Sequence, residues 1–163
     1  RGVLYCGLMV TAEGPKVVEF NCRLGDPEAQ VVLPLIESDL GEVLHALAHD
    51  ALNTIARRGT AQSAACVVLA SEGYPLKYDT GFPIAGLDAA DALEGVTVIH
   101  AGTKQQQDGT IVTDGGRVLN VVATADSLET ALDRAYAGAE HIQYEGKTFR
   151  RDIGQKGLAH LTS

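Results

Sequence analysis

Glu19, Asn21 and Arg23 place a carboxylate, an amide and a guanidinium at alternate positions of one short segment. The apolar residues between them predict a β-strand, and side chains of a strand alternate between two faces. We therefore expect the three polar side chains on one face of this strand. The other face is predicted to be a core face, formed by Val18, Phe20, Cys22 and Leu24.

The polar row has the composition of a site for a metal ion and an anion. Mg²⁺ prefers hard oxygen ligands, and a carboxylate plus an amide oxygen supply two of them. Arg23 can bind a phosphate or carboxylate through two parallel hydrogen bonds. From the residues alone, the solvated face of an edge strand is the more common explanation of Glu19 and Asn21. Arg23 can equally form a salt bridge to Glu19 or Asp26.

An acidic segment follows the predicted strand, with Gly25 and Asp26 at a turn and Pro27 suited to the first position of a helix. A helix N-terminus favours anions, but Asp26 and Glu28 would satisfy it internally. A substrate amine or hydroxyl is therefore a better partner for these carboxylates than a phosphate. The alternative is a plain N-cap at Asp26 with an acidic first turn.

Two glycine-containing segments with basic side chains, His100–Lys104 and Asp114–Arg117, are further candidates for binding a phosphate. For Gly115 and Gly116 the alternative is a hairpin turn. His45 and His49 are four residues apart on a predicted helix, which suits a metal ion. Because no third ligand is evident nearby, we interpret them as a surface pair.

The composition excludes several classes of function. The chain has 163 residues, a formal net charge of −8 and 45% hydrophobic residues, enough for one domain or two small ones. The acidic charge disfavours nucleic-acid binding, and no apolar run is long enough to span a membrane. We recognise no signal peptide. Cys6, Cys22 and Cys66 are predicted to be buried, reduced thiols of a cytoplasmic protein.

The first third of the chain is predicted to contain one hairpin and two helices. Residues 3–10 pair with residues 16–22 across a Gly-Pro turn. A helix follows from Pro27 and is ended or kinked by Pro34. Apolar residues at helical spacing then predict an amphipathic helix over 39–52, with Ser38 and Asp39 as its cap.

The polar segment 57–63 predicts a domain boundary, dividing the chain into residues 1–59 and 60–163. Beyond it, short strands alternate with turns. Asp114–Gly116 is predicted to join two of these strands as a hairpin, and Ser127 to cap a helix. The predicted elements are strands at 64–70, 96–100, 110–113 and 118–123, a helix at 128–143 and a small hairpin at 144–149.

Taken together, these segments resemble the glycinamide ribonucleotide synthetase (phosphoribosylamine–glycine ligase) family of the ATP-grasp superfamily. The resemblance implies an α+β fold. Residues 1–59 would form the C-terminal part of an ATP-grasp core, with antiparallel strands plus helices. Residues 60–163 would form a small antiparallel β-rich C-terminal domain with a packed helix. The matching stretches run in family order: 2–9, 18–28, 30–34, 71–75, 100–103, 115–121 and 150–154.

The resemblance also implies a reaction of purine biosynthesis. ATP phosphorylates the carboxylate of glycine, and the amine of 5-phosphoribosylamine then attacks the glycyl phosphate, with Mg²⁺ or Mn²⁺ as the metal. By this resemblance Glu19 and Asn21 hold the metal and, through it, the ATP phosphates. Arg23 is catalytic, near the γ-phosphate and the acyl phosphate. The substrate-binding residues implied are Gly25, Asp26 and Glu28 for the amine substrate, and Arg117 for a substrate phosphate.

The sequence departs from the wider superfamily in one respect: residues 3–10 carry no carboxylate, and Gly7 lies near the place where many relatives have one. The family's N-terminal domain and ATP-clasping lobe would precede Arg1. We therefore expect the chain alone to be inactive and its N-terminal remainder to be its partner. The alternatives are another ATP-grasp ligase or carboxylase, or a non-catalytic docking half of a split enzyme.

Overall fold

A computed structural model describes residues 1–56 and 58–161. The chain divides into two compact units, Arg1–Thr60 and Ala61–Ser163. Both contain antiparallel strands and helices, as the predicted α+β class requires. Arg57, in the predicted boundary segment, lies outside the described residues. No helix in the described ranges is both long and apolar enough to cross a membrane.

The first unit begins with the predicted hairpin, formed by β1 (Tyr5–Thr11) and β2 (Gly14–Asn21). Tyr5 lies opposite Asn21, and Gly7 lies opposite Glu19. The register then shifts by one residue, so that Leu8 pairs with Val17 and Val18 has no partner position. This is a β-bulge, which locally bends and twists the ribbon.

The prediction that one face of β2 is a core face is wrong for the residues that the structure describes. Val18 and Phe20 are 66% and 59% exposed, and Cys22 and Leu24 are exposed as well. Cys6 on β1 is also exposed, so only Cys66 is a buried thiol as predicted. Strand alternation specifies which side chains share a face. It does not specify that another layer covers that face, and a two-stranded ribbon has no second layer of its own.

The helices of the first unit follow the predicted stop and cap signals. The first helix ends in a 3₁₀ turn that contains Pro34, and the Asp39 Oδ1 accepts a hydrogen bond of 3.0 Å from the Glu42 N–H. The second helix ends earlier than predicted and is followed by Asp50 with a φ of 56°. The bounds are α1 Glu28–Val32, a 3₁₀ helix Leu33–Leu35, α2 Leu40–Ala48 and a 3₁₀ helix Leu52–Thr54.

The second unit contains a four-stranded antiparallel sheet, in the order β4-β7-β3-β8, and a separate two-stranded ribbon of β5 and β6. Its strands are β3 Ser63–Ser71, β4 Val96–His100, β5 Thr103–Gln105, β6 Ile111–Thr113, β7 Arg117–Ala125 and β8 Lys147–Thr148. Its helices are α3 Leu87–Asp91, α4 Leu128–His141 and α5 Gln155–Leu161.

Helix α4 covers the two central strands of this sheet and closes the main core. Its alanines at positions 131, 135 and 139 are buried, and such small side chains allow a helix to approach a sheet closely. Ser127 caps it as predicted, because its Oγ accepts a 3.1 Å hydrogen bond from the Thr130 N–H. Strand β7 is buried along nearly its whole length, as expected for a central strand.

Two predicted hairpins of the second unit are wrong. Asp114–Gly116 does not join β6 to β7 as paired strands, because β6 pairs with β5. Both edges of β7 are occupied by the longer strands β3 and β4. Residues 144–149 contain the predicted turn, but β8 pairs with Ala70 and Ser71 of β3. Three short elements, β5, α3 and α5, had no predicted counterpart.

Candidate active site

The polar row of β2 forms one wall of the candidate site. Glu19 and Asn21 meet on one face, where the Asn21 Nδ2 donates a 3.0 Å hydrogen bond to the Glu19 Oε1. Gly7 lies opposite Glu19 on β1. A Cβ atom at Gly7 would lie 3.1 Å from the Glu19 Cγ, so a larger residue there would crowd the Glu19 side chain. The missing side chain at Gly7 therefore leaves room for the carboxylate.

Tyr5 connects this wall to the segment Gly25–Glu28, called the acidic loop below. Its hydroxyl donates a 3.3 Å hydrogen bond to the Glu28 Oε1. The negative charge of Glu28, and to a smaller extent that of Glu19, raises the pKa of the Tyr5 hydroxyl above its usual value. The hydroxyl therefore stays protonated at neutral pH and acts as a donor.

Within the acidic loop, the backbone at Gly25 is tightly covered by the Glu28 carboxylate. A Cβ atom at Gly25 would collide with the Glu28 Oε2, so only glycine fits this arrangement. The Gly25 carbonyl oxygen accepts a 3.0 Å hydrogen bond from the Ala29 N–H. The Glu28 carboxylate thus contacts the Tyr5 hydroxyl on one side and lies against the Gly25 backbone on the other.

The prediction that Asp26 caps the helix is wrong. Pro27 occupies the N-cap position, and the helix has no side-chain cap. Asp26 therefore lies one residue before the cap, and its Oδ1 accepts a 2.7 Å hydrogen bond from the Gln30 Nε2. Asp26 itself is exposed to solvent. Its carboxylate is oriented by a side chain rather than by the first turn of the helix.

Arg23, the last residue of the polar row, follows the end of β2 and has an exposed side chain, whose Nη1 donates a 2.9 Å hydrogen bond to the Leu24 carbonyl oxygen. Its guanidinium thus lies close to the start of the acidic loop. No group of three or more His, Cys, Asp or Glu side chains among the described residues is arranged to hold a metal ion. The rings of His45 and His49 stack at 4.2 Å, and the His49 Nδ1 bonds to the His45 carbonyl oxygen.

Arg117 is the only one of the seven predicted site residues that lies in the second unit. Backbone contacts hold its loop firmly. The Ser71 N–H donates to the Gly116 carbonyl oxygen at 2.8 Å, and the Ser71 Oγ donates to the Gly115 carbonyl oxygen at 2.9 Å. The Gly102 N–H donates to the Arg117 carbonyl oxygen at 2.8 Å. The exposed Arg117 side chain therefore lies at the first residue of β7, next to a loop that these hydrogen bonds hold.

The structure weakens the prediction that the segments His100–Lys104 and Asp114–Arg117 bind a phosphate through their backbone N–H groups. The N–H groups of Ala101, Gly102 and Asp114 all donate to backbone carbonyl oxygens, at 3.1, 2.8 and 2.7 Å. They are therefore not available to an anion. The backbones at Gly102 and Gly115 approach so closely that a Cβ at Gly102 would lie 2.7 Å from the Gly115 Cα. These glycines thus serve the contact between two loops.

Sequence reasoning did not find Tyr5 and Gln30. For each of these two residues, its position in the sequence was a signal that it could lie near the candidate site. Tyr5 lies two residues before Gly7 on the same predicted strand, and Gln30 lies four residues after Asp26 at the start of a predicted helix. Residues four apart on a helix are neighbours on its surface. The hydrogen-bond partners nevertheless depend on strand register and loop geometry, which only the structure supplies.

Comparison of sequence families gives two matches along the chain. Residues 64–156 match the profile of the phosphoribosylglycinamide synthetase C domain. Residues 1–29 match the profile of the phosphoribosylglycinamide synthetase ATP-grasp (A) domain. The second match includes the polar row and the acidic loop.

Curated relatives are similar over almost the whole chain. The trifunctional purine biosynthetic protein adenosine-3 of Gallus gallus is 51% identical over 162 residues, which is 99% of this chain and 16% of that protein. The phosphoribosylamine–glycine ligase of Rhodopirellula baltica is 47% identical over 159 residues, 97% of this chain and 36% of that ligase. The chain thus spans about a third of the length of such ligases, and less of the trifunctional protein.

Solved structures show the same similarity. A phosphoribosylamine–glycine ligase from Thermotoga maritima superposes with a TM-score of 0.69 at 36% identity, covering 91% of this chain and 36% of that one. The N5-carboxyaminoimidazole ribonucleotide synthetase of the same organism gives a TM-score of 0.59 at 20% identity, covering 88% of this chain and 37% of that one. At that identity the second likeness shows the fold alone.

Proposed function

The chain belongs to the phosphoribosylglycinamide synthetase family, and we propose that the enzyme containing it is an ATP-dependent ligase that joins glycine to 5-phosphoribosylamine. A carboxylate oxygen of glycine would attack the γ-phosphorus of ATP, giving glycyl phosphate and ADP. The amine nitrogen of 5-phosphoribosylamine would then attack the acyl carbon and release phosphate. The observation that carries this proposal is the 47% identity to a phosphoribosylamine–glycine ligase across 97% of the chain.

We assign residues 1–59 to the C-terminal part of the ATP-grasp domain and residues 60–163 to the C-terminal domain of the ligase. The phosphoribosylamine–glycine ligase of Rhodopirellula baltica is about three times as long as this chain, so the remaining part of the enzyme would supply the contacts to adenine. The exposed Val18 and Phe20 support this assignment, because they offer an apolar surface for that part to cover.

Glu19 and Asn21 fit a Mg²⁺ or Mn²⁺ ion. Both side chains carry a hard oxygen donor, and they already lie side by side, with the Asn21 Nδ2 3.0 Å from the Glu19 Oε1. The Asn21 amide would turn its oxygen towards the ion, and phosphate oxygens and water would complete the shell. An ion bound here would neutralise charge on the ATP phosphates during phosphoryl transfer.

The remaining site residues have separate roles in this proposal. Arg23 would bind the transferring phosphoryl group and the acyl phosphate, since a guanidinium matches their oxygen atoms bidentately. Asp26 and Glu28 would accept hydrogen bonds from the amine substrate, while Gly25 leaves space for the Glu28 carboxylate. Arg117, at the start of β7, would bind the phosphate of 5-phosphoribosylamine.

A substrate panel on the complete enzyme tests this function. We expect ADP release that requires both glycine and 5-phosphoribosylamine, with glycinamide ribonucleotide identified by mass spectrometry. ADP release that requires bicarbonate and not glycine would instead indicate a carboxylase. No ATP turnover with any amine or carboxylate would indicate a non-catalytic docking half. We also expect the enzyme in the cytoplasm, where the thiols of Cys6, Cys22 and Cys66 stay reduced.

A further inference from the structure

Two side chains outside the acidic loop contact its two carboxylates, and each donates one hydrogen bond. Gln30 contacts Asp26, and Tyr5 contacts Glu28. We infer that Tyr5 and Gln30 are positioning residues, which hold the carboxylates of the acidic loop in the orientation that binds the amine substrate. This inference rests on the proposed function of that loop and assigns a role to residues outside it.

The geometry at Gln30 favours this role over simple packing. Its Nε2 lies 2.7 Å from the Asp26 Oδ1, while its Oε1 is buried and has no hydrogen-bond partner among the described residues. An ionised carboxylate only accepts hydrogen bonds, so the Gln30 amide must present its NH₂ group to Asp26. A buried carbonyl oxygen without a partner is unfavourable. The side chain therefore keeps its contact with Asp26 in spite of that cost.

Tyr5 acts on the other carboxylate from a different element. Its hydroxyl contacts one Glu28 oxygen at 3.3 Å, and the second Glu28 oxygen lies over the Gly25 backbone. Tyr5 also lies directly opposite Asn21 in the hairpin. The position of Glu28 is therefore tied to the strand pair that carries Glu19 and Asn21.

The chemistry of the two donors matters as much as their positions. A lysine or arginine at either place would form an ion pair and cancel the negative charge of the carboxylate. A phenol and a primary amide are neutral, so Tyr5 and Gln30 orient Glu28 and Asp26 without adding a positive charge beside either carboxylate. A carboxylate that a neutral donor orients is suited to bind an amino group.

The variant Gln30→Met in the complete enzyme tests the first contact. Methionine retains the length of the side chain and removes both the donor to Asp26 and the unpartnered oxygen, so we expect no loss of Tm. The KM for at least one amino substrate, glycine or 5-phosphoribosylamine, should rise by about tenfold, as for one lost hydrogen bond to a charged group. The KM for ATP should stay within about twofold of the wild-type value.

The variant Tyr5→Phe tests the second contact, and we expect the same pattern of KM values. Gln107→Met and Tyr78→Phe in the second unit are matched controls that should leave every KM unchanged. Wild-type KM values in Gln30→Met and Tyr5→Phe would overturn the inference. A fall in Tm with kcat and all KM values altered together would overturn it too, because the residues would then be structural. A wild-type enzyme that forms no glycinamide ribonucleotide would refute the proposed function itself, and the inference would fall with it.

Discussion

Glu19 is exposed to solvent, and its Oε1 accepts a hydrogen bond from the Asn21 Nδ2. We predict that Glu19→Gln in the complete enzyme lowers kcat by at least about 100-fold, because the variant keeps the shape and removes the proposed metal-binding charge. The free energy of unfolding should change by less than about 0.5 kcal/mol, as at other exposed positions. Steady-state kinetics across a range of Mg²⁺ concentrations and a thermal denaturation curve measure both quantities.

Glu13→Gln, at the exposed turn of the same hairpin, is the control for this prediction. This variant removes one negative charge from the surface of the β-hairpin and leaves the polar row unchanged, so kcat should stay at the wild-type value. A near-wild-type kcat in Glu19→Gln would remove Glu19 from the proposed metal site.

Tyr144 is a buried residue whose hydroxyl donates a 3.1 Å hydrogen bond to the Ala70 carbonyl oxygen. Burial raises the pKa of this hydroxyl above its ordinary value of 10.0. The folded state therefore keeps the proton in a range where the unfolded chain loses it. The stabilisation from Tyr144 is complete below the unfolded pKa and is lost as the pH rises above it.

We predict that Tyr144→Phe lowers the free energy of unfolding by about 1 kcal/mol at pH 8 and weakens its decline above pH 10. Urea unfolding at pH 8 and pH 10.5 measures this difference. Tyr78→Phe, at an exposed position, should leave the pH dependence unchanged. An identical alkaline decline in wild type and Tyr144→Phe would contradict the assignment.

Among the elements, α4 depends on one glycine at its contact with the sheet. A Cβ atom at Gly138 would lie 2.8 Å from the Val121 Cγ1 and 3.1 Å from the Val96 Cγ1. We predict that Gly138→Ala destabilises the protein by about 1–3 kcal/mol through overpacking, although alanine is the better helix former. Chemical denaturation gives the value. Ala137→Gly on the exposed side should cost about 1 kcal/mol from helix propensity alone, and any stabilisation by Gly138→Ala would refute the close contact.

The elements that the sequence predicted well are those specified by local signals. Helices α2 and α4 follow from apolar spacing and from the caps Asp39 and Ser127, all within one stretch of chain. Strand pairing in the second unit was harder, because a turn signal such as Asp114–Gly116 indicates reversal of the chain and not which edges pair. The edges of β7 were already taken by longer strands.

Some features of the candidate site follow from local sequence signals, and others depend on how distant segments pair. The shared face of Glu19 and Asn21 follows from strand alternation, which needs only a correct strand assignment. The contacts of Tyr5 and Gln30 depend on cross-strand register and on the position of Asp26 before Pro27, and neither is encoded in local spacing. Exposure of the apolar face of β2 was unpredictable for a different reason, since alternation carries no information about the covering layer.

For the whole molecule, the main core lies in the second unit, whereas most of the proposed catalytic residues lie in the first. We predict that purified residues 1–163 form no glycinamide ribonucleotide from glycine, ATP and 5-phosphoribosylamine. The reason is that this chain spans only 36% of a ligase relative, and the contacts to adenine would come from the rest. A coupled assay for ADP, with the complete enzyme as the positive control, measures this. Product from residues 1–163 alone would contradict the prediction.

The bulge at Val18 separates the tip of the hairpin from the part that carries Glu19 and Asn21. On the turn side of the bulge, the pairing of β1 with β2 is shifted by one residue from the pairing beside Glu19 and Asn21. The two halves of the hairpin therefore do not need to keep the same register. We therefore expect changes of loop length near Ala12 and Glu13 to be absorbed before they reach the face that carries Glu19 and Asn21. A library of single-residue insertions should accordingly show tolerance at the tip and intolerance between Glu19 and Arg23, where one extra residue would place the polar side chains before and after it on opposite faces.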